Sequence, residues 1–315
     1  MLLLLLPLSC RCPPTATRAL VAGPAGIRVI DDEDARGALD DEGALWSWNA
    51  DVLEREGEGV RDLMAPVGAL VGIGGNAAFV DAPWPGIPSY YEPADTAEGE
   101  ELPLSDAYYD PGFMAAVGDE RWILSSSRHE DFRASLLHRA ASGEAWQSIP
   151  LGEVAALVPQ GLAVGPDSQP ILAFHDGDQT RIVTLDGAPA RTVAASAGPG
   201  IVLGGDGHVW VPVRQGLVST GGCEIVCSEC ATNSVAAFAD EDAVGAIGVN
   251  ADGTFVAYDV DAACGFAVTT AKSAPAGVVY AWGTGAESGT NAFLSAQLTL
   301  HEETDEFDVY THDCK

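Results

Sequence analysis

Apolar and polar positions fall into a recurring unit along this chain: a small or aliphatic pair, a glycine or other small residue, a polar turn, then an apolar run or alternation. The unit reads LVGIGGNAAFV at 70–80, AVGDERWILSS at 116–126, AVGPDSQPILAF at 163–174 and VLGGDGHVWVPV at 202–213. Weaker versions are AFADEDAVGAIG at 237–248 and YAWGTGAESGTNAFLS at 280–295, and a first one is GALDDEGALWSW at 37–48. Period-two alternation and short apolar runs, as in RIVTL, HVWVPV and TFVAYDV, predict strands rather than helices. Asp-Gly pairs at 176–177, 186–187, 206–207 and 252–253 lie between such runs, where glycine's positive φ closes a tight hairpin. The best helical period, DFRASLLHRAAS at 131–142, reads equally as two strands joined by a turn.

With Gly72, Gly118, Gly165, Gly204, Ala239 and Gly283 as markers, successive units lie 46, 47, 39, 35 and 44 residues apart. Seven units over 37–313 give about 40 residues each, the length of a propeller blade. Short strands at regular spacing fit a sandwich, a barrel or a propeller. The sevenfold recurrence at blade length selects an all-β propeller of seven blades, with six as the alternative. Stacked blades leave few open edges, so this much strand content need not aggregate. Residues 37–315 are assigned to the propeller, 20–36 to an acidic linker, and 82–113 to an inserted loop.

Composition narrows the partners. Fifteen Lys and Arg stand against 46 Asp and Glu, a formal charge of −31, which excludes nucleic acid and disfavours anionic membrane surfaces. A hydrophobic share of 47% can fill a core and is incompatible with disorder. At the N-terminus, the apolar run at 2–8 is far short of the about 20 residues that span a bilayer. It suits the core of an export leader over 1–19, with Thr17 and Ala19 as the small residues before a cut. LPLSC at 6–10 also resembles the lipid-attachment signal of bacterial lipoproteins, which implies a lipid on Cys10 and membrane attachment through it. The expected location is therefore secreted or at the cell envelope.

Seven cysteines are present, at 10, 12, 223, 227, 230, 264 and 314. In an oxidising compartment Cys223, Cys227, Cys230, Cys264 and Cys314 are candidates for disulfides, with connectivity left open. CEIVCSEC at 223–230 alternatively offers three thiolates to zinc, with Cys264 or His208 as fourth ligand. Its spacing is similar to the cluster motif of radical S-adenosylmethionine enzymes, although Glu229 stands where that family has an aromatic residue.

A further resemblance covers 37–82. GALDDEGALWSWN followed by APVGALVGIGGNAAFVDA resembles a repeat of the regulator-of-chromosome-condensation type, with Ala38, Leu39, Asp41, Gly43, Trp46, Trp48 and Asn49 in matching places. The resemblance implies a β-propeller. The segment ADVLEREGEG replaces the family's Gly-Gln-Leu-Gly stretch, so nucleotide exchange and chromatin binding are not carried over.

Candidate chemistry concentrates in APWPGIPSYYEPADTAEGEELPLSDAYYDPGF at 82–113. Trp84, Tyr90, Tyr91, Tyr108, Tyr109 and Asp110 are the expected ligand-binding residues there, since aromatic faces beside carboxylates suit a sugar or a cation. Asp31, Asp32, Glu33, Asp34, Asp40, Asp41 and Glu42 offer hard oxygen ligands of the kind calcium takes. No other cofactor is expected. Six histidines, at 129, 138, 175, 208, 301 and 312, include His129 and His175 beside carboxylates in HED and HDGD, but neither G-x-S-x-G nor H-E-x-x-H occurs. The expected role is binding or scaffolding without chemistry, toward a protein, glycan or small ligand. The alternatives are a propeller glycoside hydrolase or lyase and a structural part of an envelope assembly.

Overall fold

The hairpin signals become antiparallel sheets in a computed structural model of the chain. It describes residues 15–23, 26–30, 36–40, 42–48, 52–83, 86–104, 109–127, 133–165, 167–194, 200–204, 207–213, 216–226, 230–240, 243–250, 255–260, 266–272, 278–284, 292–300 and 307–308. Two strands come first, β1 (Thr15–Gly23) and β2 (Gly26–Ile30). The first complete sheet holds β3 to β6 (Arg36–Leu39, Leu45–Trp48, Val52–Arg55, Glu58–Asp62) and the second β7 to β10 (Val67–Ile73, Asn76–Asp81, Ser89–Tyr91, Glu100–Glu101). The third holds β11 to β14 (Tyr109–Val117, Glu120–Ser127, Ala134–Arg139, Gln147–Ile149), and the fourth β15 to β18 (Val158–Val164, Pro170–Asp176, Gln179–Thr184, Arg191–Ala194). Next come β19 to β22 (Val202–Leu203, Val209–Val213, Gly216–Ser219, Glu224–Val226) and β23 to β26 (Cys230–Asp240, Ala243–Asn250, Phe255–Val260, Phe266–Lys272). Last are β27 (Val278–Thr284), β28 (Ala292–Leu300) and β29 (Phe307–Asp308).

Each four-stranded sheet is a meander, every strand pairing antiparallel with the next in sequence. The first strands lie side by side from sheet to sheet: β3 against β7, then β11, β15, β19, β23 and β27. The ring closes where β28 and β1 meet β3. The closing sheet is built from both chain ends, in the order β27, β28, β1, β2, with β29 on the end of β28. Seven sheets are thus formed among the described residues, and the chain is a β-propeller.

The core is a set of seams between neighbouring sheets, and strand alternation decides which seam each side chain enters. On the third sheet Met114, Ile123 and Leu137 turn toward the second, joining Val71, Val80 and Tyr90. Their neighbours Phe113, Leu124 and Leu136 turn toward the fourth, joining Leu162, Leu172 and Phe174. Each buried side chain of this size is worth about 1.5–3 kcal/mol relative to exposure, so both faces of a sheet are needed.

Two features depart from the expected layout. The segment 82–113 supplies β9 and β10, the third and fourth strands of the second sheet, and the start of β11. Strand β1 begins at Thr15, so its first part overlaps the segment 1–19 assigned to a leader, and β2 falls in the segment assigned to a linker. The stretch 131–142 contributes strand β13.

Glycine is required where first strands approach each other. A Cβ on Gly72 would lie 2.5 Å from both Asp40 Cα and the Leu39 carbonyl oxygen. Because both obstacles are backbone, Gly72→Ala is expected to cost about 1–3 kcal/mol, as overpacking in a filled core does. Chemical denaturation would show it as a lower midpoint.

The meander gives the ring two distinct ends. The connections between sheets and the turns between second and third strands share one end, called here the entry end. Turns between first and second and between third and fourth strands share the other, the turn end.

Candidate functional site

Among the described residues, exposed acids occur at both ends. Glu42, Glu56, Asp95, Asp119, Glu144 and Asp186 all lie in or beside the turns of the turn end and are exposed. The entry end carries exposed Asp62, Glu153, Asp176 and Asp178 among the described residues. It also holds all four exposed large hydrophobic side chains among those residues: Met64 (98%), Ile87 (39%), Val158 (48%) and Val226 (59%).

The densest charged cluster is internal. Arg121 on β12 and Arg139 on β13 are directly opposite in register, and both side chains are 4% exposed. Two like charges so placed repel. Glu92, just past β9, answers both: its Oε1 is 2.5 Å from Arg121 Nη2 and its Oε2 is 2.6 Å from Arg139 Nη2. The Tyr90 hydroxyl donates to the same carboxylate at 2.5 Å, and Glu100 Oε2 lies 3.2 Å from Arg139 Nη1. Arg121 also donates to the carbonyls of Gly118 and Glu120 at 2.7 and 2.8 Å. The Arg139 guanidinium sits over the rings of Tyr90 and Trp146, at 4.5 and 5.0 Å from their centroids. The cluster therefore fastens the second sheet to the third.

Burial pushes the Glu92 carboxyl up, but hydrogen bonds from Arg121 and Tyr90 and the two guanidinium charges outweigh it and hold the group below its usual range. A carboxylate depressed on folding contributes stability above its unfolded value near 4.5 and loses it as pH falls through the folded value. The stability advantage of the native chain over Glu92→Gln should therefore be largest above about pH 5 and fade in acid. Denaturant midpoints of both proteins from pH 7 to pH 3 would check this. At Asp81 burial prevails: its carboxyl is pushed up despite hydrogen bonds from the Ser89 amide and the Tyr91 hydroxyl and the charge of Arg61.

The expected ligand residues take different places. Tyr90 is buried toward the third sheet, while Tyr91 stacks on Phe79 at 4.5 Å toward the first, with the Arg61 guanidinium 4.2 Å from the Tyr91 ring and 5.6 Å from that of Phe79. The two rings do not share a face. Tyr109 and Asp110 are on β11, opposite Ser127 and Ser126. Trp84 and Tyr108 lie outside the described residues.

Cys223, beside β22, is disulfide-bonded. Cys230 opens β23. Cys10, Cys12, Cys227, Cys264 and Cys314 lie outside the described residues. Of the candidate calcium ligands, Asp40 is buried and accepts hydrogen bonds from the Glu42 and Ala44 amides, the Trp46 indole and Arg55. Glu42 pairs with Arg55 at 3.3 Å. Asp31, Asp32, Glu33, Asp34 and Asp41 are outside the described residues. Among those residues no group of three His, Cys, Asp or Glu is placed to hold a metal ion. His138 stacks on Trp122 at 3.9 Å with its Nε2 3.2 Å from Glu120, His175 is exposed on β16, and His208 packs beside Gly221. His129, His301 and His312 are outside the described residues. No helix among them is long and apolar enough to cross a membrane.

No family model and no curated protein matches the chain. Among solved structures it is similar to YCF48 bound to a D1 peptide, at 13% identity and a TM-score of 0.49, over 98% of this chain and 99% of that one. It is also similar to a TolB-type protein from Agrobacterium tumefaciens, at 14% identity and 0.48, over 90% and 99% of the two chains. A third is the β-propeller domain of Cps50 (Swd1), at 11% identity and 0.48, over 84% and 95%. Likeness of this size transfers no activity or partner, and the propeller assignment stands on strand order and ring closure.

Proposed function

We propose that the chain is an exported, non-catalytic binding propeller, held at the cell envelope by a lipid on Cys10, whose partner is a protein with a basic surface. The observation that carries this reading is the use of positive charge. Arg55, Arg61, Arg121 and Arg139 are committed to internal acids or aromatic rings, while the acids at the turn end stay exposed. With a formal charge of −31, the outer field is negative, and it steers a positive partner.

The test is cross-linking in the native host, followed by identification of the captured protein and its binding in vitro. The reading expects one dominant partner, binding that weakens steeply with added salt, and further loss on Asp95→Lys with Glu144→Lys. Salt-insensitive binding, or hydrolysis or eliminative cleavage of a glycoside by the purified chain, would overturn it.

A further inference from the structure

The two ends of the ring differ in a way that fixes how a tethered propeller would sit. Strand β1 is the third strand of the closing sheet and runs parallel to β27, so Thr15 lies at the entry end. Cys10 precedes it by five residues, which reach at most about 18 Å. A strand of seven residues is about 23 Å long, so a lipid at Cys10 can bring the entry end to a bilayer without strain, but not the turn end. The same end presents Met64, Ile87, Val158 and Val226 to solvent, and none of the exposed large hydrophobic side chains among the described residues lies at the opposite end. We infer that the entry end rests on a lipid surface, with Met64 and Ile87 dipping into the headgroup region. The turn end then faces away, toward the partner.

This inference rests on the envelope-anchored reading, and the two can fail separately. Intact mass of the protein from its native host tests the anchor alone, by a diacylglycerol gain on a chain starting at Cys10. Orientation is tested on the full-length chain carrying an N-terminal histidine tag, bound to phosphatidylcholine vesicles doped with a nickel-chelating lipid. That tether is long enough to let either end settle. Hydrogen exchange should slow about fivefold or more at 63–65 and 86–87 on vesicles, and stay unchanged at 140–145 and 185–188. Met64→Ser with Ile87→Ser should abolish that protection. Uniform exchange, protection at the turn end, or protection that survives the double substitution would each overturn the inference, whatever the mass shows.

Discussion

Glu92→Ala is expected to lower folding stability by about 3–5 kcal/mol, because it strands two buried arginines that face each other across a strand pair. Arg121 would keep only carbonyl acceptors, and Arg139 only the half-exposed Glu100 and its two aromatic neighbours. Those partners soften the loss but cannot neutralise two charges held opposite each other in register. Glu92→Gln, which keeps the shape and an acceptor, should lose less. In Glu92→Ala with Arg121→Met one stranded charge is gone, so the pair should cost clearly less than the sum of the single changes. Denaturant midpoints for the four proteins measure the coupling. A loss below about 1 kcal/mol for Glu92→Ala would mean that water solvates the arginines and that the seam is held by apolar packing instead.

The repeat was legible because each unit carries its own turn. Gly177, Gly187 and Gly207 all have positive φ at hairpin turns, as the Asp-Gly pairs imply. Local chemistry of this kind needs no knowledge of the rest of the chain. The segment 82–113 was misleading for the same reason. Its prolines and acids mask a third strand only three residues long and a fourth of two, which pair because β8 offers an edge to β9 and β9 offers one to β10. Glu92 was invisible as a bridge: it, Arg121 and Arg139 are brought together only when the second and third sheets stack. The one hint was an arginine close to a short apolar run in both RWIL and LLHR, where burial demands a counter-charge. Least legible were β1 and β2, since a strand that pairs with the far end of its chain has no local partner to announce it.

Removing residues 1–19 is expected to open the ring. β1 pairs with β28 from Thr15↔Thr299 to Ala22↔Ala292, and cutting after Ala19 deletes every pair as far as Ala19↔Ser295. At about 1 kcal/mol for each ladder hydrogen bond, the loss is about 4–6 kcal/mol. It also frees the edge of β28, an unpaired strand that invites association with a second chain. A chain starting at Cys10 keeps every one of these pairs. The expected result is that 10–315 unfolds at the same temperature as the full-length protein, while 20–315 unfolds earlier and elutes as a mixture of larger species. Equal melting of 10–315 and 20–315 would show that Leu20–Gly23 alone closes the ring, and export processing would then be free to cut after Ala19. If 20–315 fails as expected, any leader removed in the cell must end before Thr15. The lipid-attachment cut before Cys10 meets that condition, and the cut after Ala19 does not.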